Sequence, residues 1–366
     1  MATVHHWTGL EARALRLALR MSVRVFAQHL GLAVATVSKW EKHLVDTEPR
    51  PDTQAILDTA LARADSAAHL RFEARLSEAG VAPSASGRRL VPTCPRAWEY
   101  ESWTDDLDRT VAALSTQHFA FADNLLTRWL HRFAPQELDD EGLYLFARST
   151  ALLGDLQRDQ GAVLGPLSAQ HSYATARQVF VQLDIPRRVA QLDLSLAVVA
   201  EMTGELEGAA RQYESLTRDD RLSRRDRARA RLWVGTALSK GGDHDYATRV
   251  MQVATREFED LTEPEDWAVS HQKLALARRG AGDLTQALAL IDIARGSGTA
   301  HSPLQCVRLD TAHGHILLSD MATRDDGLLV LDLAARNAAR FGLVHQLRCI
   351  EDIRTTSEGP PGLRRR

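Results

Sequence analysis

Residues 22–41 read SVRVFAQHLGLAVATVSKWE, and the architecture of the chain's beginning follows from them. Ser22 is a good helix cap, and Val23, Phe26, Ala27 and Leu30 recur at helical spacing until Gly31 interrupts the run. A second apolar series begins at Val34, Val37 and Trp40, with Leu32 after the break as a core plug. Two short helices joined through one glycine turn must cross steeply, because so short a connection does not support antiparallel packing. The second helix keeps one face of small, hydroxylated and cationic residues: Ala35, Thr36, Ser38, Lys39 and Lys42. Such a face suits the major groove of DNA.

Outward from this stretch, Leu10, Ala14, Leu15, Ala18 and Leu19 make an amphipathic first helix. Pro51 opens a fourth helix at the position where proline is favoured, with Ile56, Leu57, Ala60 and Leu61 as its expected buried stripe. Leu70, Phe72 and Leu76 extend the pattern into a fifth. From Leu10 to about Leu61 the chain resembles the Xre-type, lambda-repressor-like helix-turn-helix: a polar cap, an alanine in the middle of the second helix, the glycine turn, and a third helix closing on Thr36–Glu41, TVSKWE. Ala33 stands where that family usually has Ser or Thr, so the third helix lacks a side-chain cap worth about 1 kcal/mol.

The resemblance implies double-stranded DNA as partner and Lys39 as a base reader, able to donate to guanine O6 and N7. Val34, Ala35 and Thr36, in the N-terminal part of the same helix, suit thymine methyls; alternatively, Val34 closes the core and Ala35 is merely small. Ser22, Arg24, Gln28, Lys42 and Arg50 are expected on phosphates, setting register and salt dependence rather than sequence preference.

The 366 residues are 44% apolar and 25% charged, with few aromatics and no strand-like runs of Val, Ile and Thr, so the chain is expected to be all-α. The net charge of −3 advertises no nucleic acid globally. Arg13, Arg16, Arg20, Arg24, Lys39, Lys42 and Arg50 nevertheless make the first fifty residues locally positive. Cys94, Cys306 and Cys349 are few and scattered, and no apolar run reaches membrane-spanning length, which fits a reducing cytoplasm without membrane contact. Residues 1–76 are expected to form the DNA-binding domain, and the Gly-, Pro- and Ser-rich stretch 77–104 a linker. Trp98, Tyr100 and Trp103 at its end read as a lid on the next domain.

Residues 105–355 read as repeated helical hairpins, and 356–366 as a solvated tail. Turn positions fall at Gly204, Gly242, Gly282 and Ala322, a period of 38, 40 and 40 residues. A small residue follows each turn (Ala209, Ala247, Ala287, Gly327), then a bulky one (Tyr213, Met251, Ile291, Leu331), then Leu216, Ala254, Ala294 or Ala334. Small, large and small at this spacing is how paired helices interlock. The phrases resemble tetratricopeptide repeats, with a period longer than the usual ~34 residues and with Asp193, Arg231, His271 and Thr311 in place of the helix-A tryptophan. The expectation is a tetratricopeptide-like α-solenoid, with two irregular hairpins upstream.

Helix A of each hairpin lines the concave side, which places Gln191, Glu201, Arg229, Thr236, Lys240, Gln272 and Arg279 in a candidate ligand groove for a signalling peptide, a small molecule or a protein. The combination resembles the RRNPP regulators, whose repeat domain binds a short peptide and changes DNA binding. Their grooves rely on asparagines, whereas this chain has only Asn124 and Asn337. No GxxxxGKS/T or HExxH phrase occurs, the cysteines have no ligand spacing, and no catalytic constellation stands out, so no cofactor, metal or enzymatic activity is expected. The function expected is that of a ligand-gated transcriptional regulator acting as a homodimer on a palindrome. The alternative is a repeat scaffold or adaptor whose small domain does not bind DNA.

Overall fold

A computed structural model of the chain describes residues 7–62, 64, 66–78, 95–298 and 302–358. Every regular element among them is a helix, and the chain divides into two units, Met1–Pro92 and Thr93–Arg366. Most of the stretch read as linker, the proposed boundary at residues 76–77 apart, and the last eight residues of the tail lie outside the described residues, as does Cys94.

The first unit contains α1 (Gly9–Ala18), α2 (Val23–His29), α3 (Val34–His43), a 3-10 turn (Leu44–Asp46), α4 (Pro51–Ala62) and α5 (Ser66–Glu78). Thr8 caps α1 by accepting the Leu10 N–H, while the Glu11 carboxylate accepts the Thr8 N–H at 2.7 Å. Leu15, Phe26, Ala27, Val37, Trp40, Leu57 and Phe72 make one core. Gly31 ends α2 at φ +68°, a left-handed conformation that most side chains resist, and so permits the steep crossing onto α3. Two positions differ from the sequence reading. Trp7, in the stretch 1–9 that reads as polar with two histidines, is 1% exposed; its Nε1 donates to Asp58 Oδ1 at 2.6 Å and its ring lies against Phe72. Ile56, expected in the buried stripe of α4, is 36% exposed, because Leu57, Ala60 and Leu61 already fill the helix's inward face.

The second unit opens with two hairpins, α6 (Ala97–Ser115) with α7 (Phe119–Arg132) and α8 (Asp140–Asp159) with α9 (Ala169–Gln182). Helix α6 therefore starts before Asp105, inside the stretch read as linker. Tyr100, Trp103 and Leu107 recur at helical spacing and are buried with Trp129 and Phe133, whereas Trp98 stays exposed. The aromatics form a core, not a lid.

Four further hairpins follow: α10 (Pro186–Met202) with α11 (Leu206–Leu216), α12 (Arg224–Lys240) with α13 (His244–Asp260), α14 (Pro264–Gly280) with α15 (Leu284–Gly296), and α16 (Pro303–Leu317) with α17 (Arg324–Arg340). Helix α18 (Val344–Glu358) ends the array. The first three turns each place a glycine, Gly204, Gly242 and Gly282, at φ between +83° and +98°. The fourth uses no left-handed residue: Asp320 accepts the Ala322 N–H at 2.9 Å and Thr323 Oγ1 donates to the Leu317 carbonyl at 2.8 Å. Each small, large and small triplet is buried, which is what lets successive hairpins interlock.

Helices α10, α12, α14, α16 and α18 stand side by side as an inner wall, and α8 packs against α18 at the far end. Ala113, Phe119, Ala122 and Leu156 from the first hairpins share a single core with Val307, Leu331, Leu343 and Ile350 from the last. Across the same seam the Leu304 N–H donates to Gln117 Oε1 at 3.1 Å. The solenoid thus closes on itself. No helix among the described residues is long and apolar enough to cross a membrane.

Candidate functional site

In the first unit, Ala33 gives α3 no side-chain cap, as its methyl group dictates. Val34 is 44% exposed, so it does not close the core; Ala35 and Lys39 are exposed and Thr36 half-buried, while Val37 and Trp40 point inward. Ser22 Oγ accepts the Val25 N–H at 3.3 Å and caps α2. Arg24, Gln28, Lys42 and Arg50 are exposed, and none of Arg24, Lys39, Lys42 and Arg50 has an ion-pair partner among the described residues.

Two other arginines counted in the positive patch are spent internally. Arg16 grips Glu41 through Nε at 2.7 Å and Nη2 at 3.1 Å, and its Nη1 donates to the Met21 carbonyl at 2.6 Å. Arg13 reaches the same carboxylate at 3.5 Å. Helix α1 is thereby fastened to α3 and to the turn before α2. Because the Arg16–Glu41 pair is mostly buried and fork-like, Arg16→Met should destabilise the unit by about 1–3 kcal/mol, read as an earlier melting transition, whereas Arg24→Met should leave it in place.

The second unit has an open-mouthed cavity of about 550 Å³ between its inner helices. Leu194, Val198, Trp233, Val269, Leu276 and Ile353 supply apolar wall, and Arg158, Glu201, Lys240, Lys273 and Arg308 supply charge. Of the groove residues expected from the sequence, Glu201, Arg229, Lys240 and Gln272 line it. Glu201 is buried, receives the Tyr213 hydroxyl at 2.9 Å and pairs with Lys240 at 2.8 Å. Arg229 and Arg225 hold the two oxygens of Asp266 at 2.8 and 2.7 Å. Gln272 Nε2 donates to the Arg308 carbonyl at 2.8 Å.

The other three lie elsewhere. Gln191 borders a separate pocket of about 200 Å³ and donates to Asp226 at 3.2 Å. Thr236 is buried in the wall, its hydroxyl donating to the Leu232 carbonyl at 3.1 Å. Arg279 Nε bridges to the His315 carbonyl at 3.2 Å and Ser319 Oγ at 3.0 Å. Most of these polar side chains are therefore rungs tying one inner helix to the next, because adjacent A helices leave backbone carbonyls and carboxylates within their reach.

Sequence reasoning passed over Lys273 and Arg308. Neither side chain has a hydrogen bond or ion pair among the described residues. The Lys273 Nζ lies 5.4 Å from the centre of the Trp233 ring. It keeps some solvent contact, yet enough protein surrounds it that burial, with Lys240 adding repulsion, pulls its pKa down to about 8. Burial likewise lowers that of Arg308. Burial and Arg279 hold His315 at about 4, and burial with Lys240 lowers His345. Cys349 lies 3.6 Å from His345, but burial raises its thiol pKa and so disfavours a thiolate nucleophile. Among the described residues no three potential metal ligands cluster. The signal for Lys273 was its place beside Gln272 on a helix whose inward face is broad.

Neither a scan of protein-family models nor a search of curated proteins finds a match to the sequence. Solved structures do match. A Rap protein complexed with competence and sporulation factor is 14% identical, with 95% of this chain and 98% of that chain covered at a TM-score of 0.50. The Rap conjugation gene regulator of plasmid pLS20, in complex with the Phr* peptide, is 10% identical, with 91% and 98% covered, also at 0.50. Arrangement of helices, not sequence, carries the likeness: the chain has the all-helical, tetratricopeptide-like fold of these proteins.

Proposed function

We propose that the chain is a ligand-responsive, DNA-binding transcriptional regulator. Its first unit reads an operator half-site through α3, with Val34, Ala35, Thr36 and Lys39 toward the bases and Ser22, Arg24, Gln28, Lys42 and Arg50 toward phosphates. Its repeat unit receives a signalling peptide, small molecule or protein ligand in the central cavity. The observation that carries the reading is the set of exposed cations on and around α3 that have no acidic partner among the described residues, while Arg13 and Arg16 nearby are neutralised by Glu41. A scaffold has no need of unpaired charge on a helix-turn-helix face. Support for a ligand comes from the cavity, and from the two fold relatives having been solved in complex with competence and sporulation factor and with the Phr* peptide.

Two copies paired into a symmetric dimer would present two reading helices, and the operator would be a palindrome with half-sites about one helical turn apart or a multiple of it. A ligand changes DNA binding only by favouring one arrangement of the repeat unit over another, and we take the seam between its first and last hairpins as the contact that such a ligand would bias. The test is selection of bound genomic fragments by the purified protein, followed by mobility shift on the selected site. Lys39→Ala should lose about 1–3 kcal/mol of affinity and relax preference at one base pair. Lys42→Ala should weaken all sites alike and flatten the salt dependence by about one unit of slope. Retention on duplex DNA that is weak and indifferent to salt would instead identify an adaptor.

A further inference from the structure

Resting on the reading of the cavity as a ligand site, a count of its charges narrows the class of ligand. Each carboxylate lining it is already matched. Glu201 pairs with Lys240 at 2.8 Å, Asp159 with Arg158 at 3.1 Å, and Asp266 with Arg225 and Arg229. Among the described residues Lys273 on α14 and Arg308 on α16 have no ion-pair partner; Glu201 and Asp159 act on them only at longer range while paired to Lys240 and Arg158. Both line the cavity, and Arg308 is near enough to Lys273 to repel its charge. Uncompensated cations in a partly dehydrated site cost stability, and such groups concentrate where a ligand supplies the missing charge. The surrounding wall of Leu194, Val198, Trp233, Val269, Leu276 and Ile353 is apolar, and about 550 Å³ lies within the range of pockets for drug-sized ligands.

We infer that the cavity takes an amphiphilic acid: an apolar body lying on Trp233 and the aliphatic wall, with one anionic oxygen group, carboxylate or phosphate, held by Lys273 and Arg308. The free carboxylate of a short apolar peptide and a small organic acid share this chemistry.

Two dyes with the same aromatic body test it on the full chain: 8-anilinonaphthalene-1-sulfonate, which carries an anion, and N-phenyl-1-naphthylamine, which does not. The wild type should bind the sulfonate more tightly. Lys273→Met and Arg308→Met should each weaken it roughly tenfold and leave the neutral dye unchanged. Displacement by 1-naphthylacetate against 1-naphthyl phosphate separates the two head groups. Sulfonate affinity should begin to fall as the pH passes about 8, where Lys273 loses its proton, and the fall should vanish in Lys273→Met. Its charged surroundings are Glu201 on α10, Lys240 on α12, Arg308 on α16 and Cys349 on α18; the thiol ionises in both proteins and so does not produce that difference. Lys273→Met should also raise the melting temperature of the unliganded protein by a few degrees, since it keeps the stem on Trp233 and removes the unmatched charge.

If both dyes bind and neither variant changes the sulfonate's affinity, the anion site is wrong while the cavity stands. If neither dye binds the wild type, the ligand cavity itself is wrong.

Discussion

Leu156→Ala should part the seam that closes the repeat unit, at a cost of about 2–5 kcal/mol. Leu156 lies on α8, is 3% exposed and belongs to the core shared with α16, α17 and α18. Few other residues of α8 reach that core, so the truncation leaves a void where the two ends of the array meet instead of between consecutive hairpins. Ile291→Ala is the matched control: Ile291 on α15 is fully buried, and its truncation should cost a similar amount of stability inside a hairpin stack far along the array. Denaturant titration should show both losses. Hydrogen exchange should separate them, with Leu156→Ala selectively releasing protection in α18 and weakening dye binding in the cavity that α18 walls. Equal protection of α18 in the two variants would mean that the ends of the array are not energetically coupled, and the seam would lose its place as the element a ligand biases.

The hairpins were legible because their information is local. A glycine that tolerates a left-handed turn, followed at fixed distance by a small, a large and another small residue, dictates how two adjacent helices interlock, and Ala247, Met251 and Ala254 pack as that spacing requires. Ring closure was not legible, since Leu156 and Ile350 are far apart in the chain and neither carries a mark that distinguishes it from any other core residue. Trp7 was missed for a related reason: its sequence neighbours His5, His6, Thr8 and Gly9 are polar or small, and the distant Asp58 and Phe72 are what it packs and bonds with. For the cavity, helical phase placed Glu201, Arg229, Lys240 and Gln272 on the inner wall, but phase does not say which charges already have partners. Arg229 and Lys240 are paired with acids on neighbouring helices, whereas Lys273 and Arg308 have no ion-pair partner among the described residues. Pairing between helices is tertiary information, and it decides which cations are available.

Asp106→Ala should cost about 3–5 kcal/mol, because the carboxylate is buried and multiply bonded. In the sequence Asp105 and Asp106 look alike, two acids whose solvated or dipole-facing roles near a helix end need no further explanation. In the structure they sit inside α6, with Asp105 exposed and Asp106 5% exposed. Asp106 accepts hydrogen bonds from Arg109 Nη1 at 2.9 Å, Arg128 Nη1 at 3.0 Å and Trp129 Nε1 at 2.9 Å. The Trp129 ring is stacked on Trp103, centroids 5.3 Å apart, so this one carboxylate fixes the orientation of the aromatic core that joins α6 to α7. Removing it strips the indole N–H of its acceptor and withdraws the negative charge facing Arg128, whose side chain is mostly buried, while the half-exposed Arg109 turns to water. Asp106→Asn keeps an acceptor oxygen but not the charge and should fall between wild type and alanine, while Asp105→Ala should change stability by less than about 0.5 kcal/mol. Urea titration of the three variants orders them directly. If Asp106→Ala were no worse than Asp105→Ala, the buried carboxylate would not be what holds the first hairpin together, and the stacked rings alone would have to.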